Sequence, residues 1–370
     1  GYTGDGQLCC EAAMMLLDSQ KFYKKWLEDI SDCQSIGNGH VQHTAPFMGG
    51  GGGPAGWGGA IAVVPYEMYK IYGDKETFRR YLPKILRYFD YLDSRSSGGL
   101  VCREEEGGWC LGDWCPPKQI TICEPFVNTA LYVKQMMMTK EASEAIGESE
   151  TAAMLEKRIE EKKQAILNAY YSPQTGSFIG DAQGANGFAV DIGLGGERAF
   201  NNTKKKYDAA DAFDTGIFGT DILTRVLFER GCADTAFHLL TSTGKGSFYN
   251  MKKQGATTIW ENWDGERSHS HPMFGAVTRY LFSFILGITQ EKNSAGYEKI
   301  VIAPQIPDGL NRASGHITTV RGEIAVSFVR TEREMDFYVT VPQKAWFTYG
   351  SDCEYELWEG ENHIHIDFEE

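Results

Sequence analysis

The sequence predicts a mainly α protein, a closed ring or bundle of helical hairpins, with a small antiparallel β-sandwich at its C-terminal end. Three observations carry this. Apolar residues recur at helical spacing through consecutive segments joined by short turns. After residue 297 the pattern changes to short β-branched runs separated by turn signals. Between them, Gln290-Glu291-Lys292-Asn293-Ser294 is polar and turn-like, which divides the chain into a helical domain over 1–292 and a sandwich over 293–370.

Taken in order, residues 6–32 read as two helices. Ala12, Met14, Leu16 and Leu17 supply one apolar face, Phe22, Trp26, Leu27 and Ile30 the other, and Asp18-Ser19-Gln20 forms the turn and N-cap. Gly37 to Gly59 is loop-like, because the run Gly49 to Gly53 cannot nucleate regular structure. Trp57 at its end favours a site loop over a tether, since an indole there needs something to stack on. Ala60 to Tyr72 and Thr77 to Leu92 form the next pair, with Gly73 ending one helix and Asp74 capping the other. A second aromatic loop runs from Gly107 to Pro117 and carries Trp109, Asp113 and Trp114. Phe126 to Met138 and Glu150 to Tyr170 make the third pair, whose charged side is a solvated outer face.

Residues 171–213 read as turn-rich. Thr220 to Arg230 and Ala233 to Thr241 are helical about Gly231, and Pro272 to Leu286 is a helix burying Phe274, Val277, Tyr280, Leu281 and Phe284. Strands follow at 299–304, 314–320, 322–329 and 335–341.

Composition narrows the function. A net charge of −14 and a pI near 5.1 disfavour nucleic acid or an anionic membrane as partner, while leaving neutral ligands such as sugars open. Nine cysteines at irregular spacing, without a C-x2-C pair, read as small buried hydrophobes and not as a zinc or redox set. Their odd number suits a reducing compartment, cytoplasmic over periplasmic. His40 and His43 read as loop residues with nothing to mark them as metal ligands, and no cofactor is expected.

The chemistry concentrates in Gly255-Ala256-Thr257-Thr258-Ile259-Trp260-Glu261-Asn262-Trp263-Asp264. A carboxylate between two indoles suits sugar cleavage: apolar rings stack on a pyranose, and their low dielectric moves the carboxyl pKa toward the working pH. The plainer reading is a helix end with two core tryptophans and a solvated Glu. Against it, the loops expected at one end of the helices bear Trp57, Trp109, Trp114, Trp260, Trp263 and several carboxylates, whereas the remaining connections are plain.

These blocks resemble bacterial α-L-rhamnosidases of glycoside hydrolase family 78. The matching stretches are Gly1-Tyr2-Thr3-Gly4-Asp5, Gly56-Trp57-Gly58-Gly59-Ala60 through Tyr72-Gly73-Asp74, and Leu111-Gly112-Asp113-Trp114. Thr215 to Thr220, Gly255 to Trp263 and His271 to Val277 complete the set, in the family's order. The resemblance implies an (α/α)6 barrel followed by a C-terminal β-sandwich, acting on terminal α-L-rhamnosyl residues with inversion. It implies Glu261 as general base, and a general acid in an Asp-Cys-Pro-x-Arg-x-Glu-Arg-Leu stretch just before the position of Gly1. The first barrel helix and N-terminal β-domains packing on the barrel are expected there too. In an inverting pair the carboxyls stand roughly 6.5–9.5 Å apart, to admit water.

By the same matching, Asp5 contacts sugar hydroxyls and joins Glu261 as a catalytic residue, while Tyr2 stands where the family usually has Trp. Trp57 and Trp114 line the pocket and His271 contacts a hydroxyl. Trp109, Asp113 and Trp260 complete the expected substrate-binding set, although Asp113 could instead brace Trp114. Gly59 departs from the family, many members having Asp there. Two other readings stand beside this one: a catalytically silent carbohydrate-binding fragment, and another exo-glycosidase on the same barrel.

Overall fold

The computed structural model describes residues 1–350 and 353–368. Its helices, in chain order, are α1 (Thr3–Leu16), α2 (Gln20–Asp32), the short α3 (Pro54–Gly58), α4 (Ala60–Tyr72) and α5 (Lys75–Ser94). Then come α6 (Glu124–Ala145), α7 (Ser149–Tyr170), α8 (Ala185–Asp191), α9 (Gly196–Asp208), α10 (Ile217–Glu229), α11 (Ala233–Thr241) and α12 (Phe248–Lys253). A last helical segment, 272–285, passes from 3-10 through α to π geometry. This is the (α/α)6 arrangement. Six inner elements, α1, α4, α6, α8, α10 and 272–285, pack each on the next, and the last packs back on α1.

Burial explains which helices lie inside. α6 and α10 are apolar or small nearly all round and bury most of their length, as elements covered on every side must. α2 and α5 instead bury one stripe, Tyr23, Trp26, Leu27 and Ile30 in the first, and face solvent with the rest. The α4–α5 turn works as its sequence suggests. Gly73 adopts φ +68°, a left-handed conformation that carries no penalty for glycine, and the Asp74 side chain accepts the Thr77 N–H (3.0 Å). Such a cap is worth ~1 kcal/mol.

Two sequence expectations are corrected here. Residues 171–213 hold a full hairpin, α8 and α9, with only short strand pairs and turns before it. The 272–285 helix leaves Leu281 39 % exposed, because the π turn rotates it off the apolar face. In addition, the glycine-rich loop contains α3, which begins at Pro54.

Ion pairs cross the seams of the inner ring. Lys70 of α4 meets Glu141 of α6 (2.9 Å), and Lys134 of α6 meets Asp191 of α8 (2.9 Å). Asp191 also meets Arg225 of α10 (2.7 Å). Arg279 closes the circle, with Asp221 of α10 at 2.8 Å and Glu11 of α1 at 2.7 Å. Among the described residues, the α1–α4 seam has no such pair. Glu11 and Glu67 both face an interior cavity of about 90 Å³ there.

Burial, reinforced by Glu11, holds the Glu67 carboxyl well above its usual range. The unfolded chain ionises it near 4.5, so this group subtracts stability as pH rises above that value. Glu67→Gln is therefore expected to raise the melting temperature at pH 7 and to match the wild type near pH 4. Thermal scans at both values check this, and equal melting temperatures at pH 7 would refute it.

Strands β1 (Ser96–Ser97) with β2 (Leu100–Val101), and β3 (Tyr171–Ser172) with β4 (Ser177–Phe178), are small hairpins within the helical part. The C-terminal part has two four-stranded sheets. One contains β5 (Ile288–Gln290), β6 (Ile300–Ile302), β10 (Ala345–Tyr349) and β11 (Cys353–Leu357), in the order β11-β10-β6-β5. The other contains β7 (Arg312–Thr319), β8 (Gly322–Arg330), β9 (Glu334–Val341) and β12 (Gly360–Asp367), in the order β12-β9-β8-β7. Alternating Ile324, Val326, Phe328, Met335, Phe337 and Val339 bury one face of the second sheet. β5 already pairs with β6, so the first sheet starts a few residues before position 293. No described helix is long and apolar enough to cross a membrane, and all nine cysteines are free thiols.

Candidate active site

The loop before the last inner segment is a pinned hairpin. Glu261 N–H donates to the Ser268 carbonyl (2.8 Å) and His271 N–H to the Ile259 carbonyl (2.8 Å), with Gly265 turning the chain between them. Its two indoles act as anchors. Trp263 is buried among Phe213, Phe248 and Phe274, and Trp260 is buried under the turn, stacked on His269 (4.5 Å between ring centres). Glu261, between them, is left at the rim with its side chain 15 % exposed.

Asp5 comes from the other end of the helical domain. It sits in the first turn of α1, where unpaired N–H groups favour a carboxylate. His271 Nε2 lies 2.5 Å from Asp5 Oδ1, and its Nδ1 lies 3.9 Å from Glu261 Oε2. One imidazole thus stands between two carboxylates. The hydrogen bond to Asp5 raises the His271 pKa against the opposing effect of burial, and the charges of Asp5 and Glu261 add to the rise. Glu261 also accepts the Ser268 N–H (3.3 Å) and has Arg267 Nη1 3.6 Å from its other oxygen. Arg267 in turn lies over the Trp114 ring at 5.1 Å.

The raised pKa has a sign that can be measured. The Asp5–His271 contact contributes stability below the unfolded-state value of 6.5, and loses it as pH rises through the higher folded-state value. The wild type is expected to lose melting temperature between pH 6 and pH 9 relative to His271→Gln. Parallel curves for the two proteins would refute this.

The remaining expected residues divide. Trp114 is half-buried beside Arg267 and Glu261. Tyr2 and Trp109, 44 % and 61 % exposed, lie on the glycine loop against Gly50 and Gly51 and form an aromatic rim at the same end of the barrel as Asp5. Trp57 and Trp260 are packed against neighbouring side chains, at 3 % and 6 % exposure. Trp57 is wedged between Phe218 and Gly4, where a Cβ would fall 2.8 Å from the ring. Asp113 is buried as well. Its two oxygens accept the N–H groups of Gly216 (2.6 Å), Phe218 (2.9 Å) and Gly219 (3.1 Å), so it caps the start of α10 and has no face toward a sugar. Burial pushes its pKa up to about 7 against those three donors.

At position 59 the Gln135 side chain occupies the space an Asp would need, and it donates to the Ala55 carbonyl (2.9 Å). Arg267 and Ser268, which surround Glu261, were not singled out from the sequence. The signal available was the Asp264-Gly265 turn that folds them back.

Known proteins share this domain order and fold. Residues 1–285 match the bacterial alpha-L-rhamnosidase 6 hairpin glycosidase domain, and residues 287–347 match the bacterial alpha-L-rhamnosidase C-terminal domain. An alpha-L-rhamnosidase of Alteromonas sp. is 26% identical over 369 residues, covering 92% of this chain and 39% of the relative. One from Streptomyces avermitilis is 29% identical over 342 residues, covering 88% and 31%. The crystal structure of a Streptomyces avermitilis alpha-L-rhamnosidase complexed with L-rhamnose superposes with a TM-score of 0.88 at 24% identity, over 99% of this chain and 38% of that one. The alpha-L-rhamnosidase of Dictyoglumus thermophilum gives 0.89 at 20% identity, over 100% and 46%. The chain spans less than half the length of these relatives.

Proposed function

Since the chain belongs to the bacterial alpha-L-rhamnosidase six-hairpin glycosidase family, we propose that it forms the catalytic barrel and C-terminal sandwich of an enzyme that hydrolyses terminal α-L-rhamnosyl residues with inversion. The observation that carries the reading is the row Asp5–His271–Glu261 at one end of the ring. Glu261 acts as general base. Its carboxylate faces Arg267, the Ser268 N–H and the His271 imidazole, and it is open enough to hold a water against the anomeric carbon. Water loses its proton to Glu261 as its oxygen bonds to that carbon, while the glycosidic oxygen leaves on the opposite face and takes a proton from a second carboxyl. The family resemblance assigns that carboxyl to a stretch before the position of Gly1.

Asp5 commits Oδ1 to His271 and offers its second oxygen to a sugar hydroxyl, so it positions both the ring and the imidazole. Trp114, with Tyr2 and Trp109 at the rim, supplies the apolar surface on which a deoxysugar methyl and ring can rest. The substrate is a rhamnosylated glycoside or polysaccharide.

The test uses the full-length polypeptide on a panel of aryl glycosides. Release from the α-L-rhamnoside alone, with β-L-rhamnose as the first anomer seen by NMR, is the expected result. Retention of configuration, preference for another glycoside, or calorimetric binding of rhamnose without hydrolysis would each overturn the assignment.

A further inference from the structure

Two imidazoles and a carboxylate meet in the wall of the barrel mouth, apart from the row just described. His40 and His43 belong to the irregular 33–53 loop and Glu104 to the irregular 102–123 loop. All three side chains are more than nine-tenths buried, although the two histidines read from sequence as plain loop residues. One donor atom from each lies within 4.8 Å of the other two. His43 Nε2 stands 2.9 Å from Glu104 Oε2, and His40 Nε2 stands 3.4 Å from Glu104 Oε1.

The protein alone does not satisfy this arrangement. His40 Nε2 is buried, aimed at the carboxylate, and makes no hydrogen bond. An orphaned polar atom of that kind keeps the full cost of its desolvation. Nitrogen and oxygen donors on a tetrahedral zinc ion, each at roughly 2.0–2.2 Å, stand about 3.3 Å from one another. The two nitrogen–carboxylate separations, 3.4 Å and 2.9 Å, one to each oxygen of Glu104, are close to that. The carboxylate is also oriented from behind, because Tyr91 Oη and the Glu105 N–H (2.9 Å) both donate to Glu104 Oε1.

We propose that His40, His43 and Glu104 bind one divalent transition-metal ion of the zinc class, which staples the 33–53 loop to the 102–123 loop. Both imidazoles bind through the Nε2 lone pair and carry their ring proton on Nδ1. The proton that His43 turns toward Glu104 moves to its other nitrogen. Three protein donors leave the fourth position to water. The staple has a direct route to the rim. The His43 carbonyl accepts the N–H (2.9 Å) and hydroxyl (3.1 Å) of Thr3, two residues before Asp5, and Gly52 packs between His43 and Trp57.

The test is metal analysis of the full-length polypeptide, purified from zinc-supplemented cells and dialysed against a weak chelator. One zinc per chain is expected in the wild type and in His365→Ala, which alters the other, exposed histidine–carboxylate group. That equivalent is expected to be lost in His43→Gln and Glu104→Gln, which keep all nine cysteines. Should those variants fold poorly, the stripped wild type is reloaded with cobalt. A visible spectrum with nitrogen and oxygen ligands and no thiolate charge-transfer band supports the site. Less than stoichiometric zinc in the wild type, equal zinc in the variants, or a thiolate band would overturn it.

Discussion

Glu261→Gln in the full-length polypeptide is expected to lower turnover on an aryl α-L-rhamnoside about 10²- to 10⁴-fold, the range over which a positioned acid or base contributes. The amide keeps the shape of the side chain and can still accept the Ser268 N–H, so the pinned loop should survive. It replaces the carboxylate that faces Arg267 and the His271 imidazole. It also removes the lone pair that takes the proton from water. Steady-state kinetics with a parallel melting curve check the prediction. Full activity in a folded variant would sink the assignment of the base.

Arg279→Ala is expected to cost about 3–5 kcal/mol of unfolding free energy, as breaking a buried ion pair from one side does. The guanidinium is 4 % exposed and joins three inner elements. Besides Asp221 and Glu11, it donates to Tyr280 Oη (2.7 Å) and to the Ala276 carbonyl (2.9 Å). Without it Asp221 is left buried without its cation, and the 272–285 segment loses its tie to both neighbours. Urea unfolding is the measurement, with Lys157→Ala on the outer face of α7 as a control expected to stay within about 0.5 kcal/mol. A loss below 1 kcal/mol for Arg279→Ala would show that packing alone closes the ring.

The sequence made the long, strongly periodic helices readable, and α4, α5 and α7 fall close to where their apolar faces and caps predict. It hid α8 and α9 for local reasons. Ile179, Asp181 and Gln183, just before α8, take left-handed backbone conformations that read as turn. α9 carries only Ala199, Phe200, Thr203 and Tyr207 on its buried side among polar residues. Strands β10 to β12 were missed because Trp346, Tyr355 and the charged residues around them blur the period of two.

At the site, residue spacing pointed to the Trp260–Trp263 loop but not to the direction each side chain takes. An indole beside a carboxylate looks the same in sequence whether it lines a cup or anchors a turn, and Trp260 anchors. Asp113 stood open between a sugar contact and a structural brace for a similar reason. Its partners are main-chain amides at 216–219, which no local pattern brings to mind. Arg279 gave no warning either, since a lone arginine in an apolar helix is legible only once its two carboxylates are seen.

The position of Asp5 beside His271 has a consequence for the order in which a ribosome delivers this chain. One partner is made some 270 residues before the other, and the α1 edge stays uncovered until the segment through 285 emerges. A nascent or prematurely stopped chain holds Asp5 with no imidazole to receive it. Competence to bind at this end therefore arrives in a single late step, when the final arc locks onto the first.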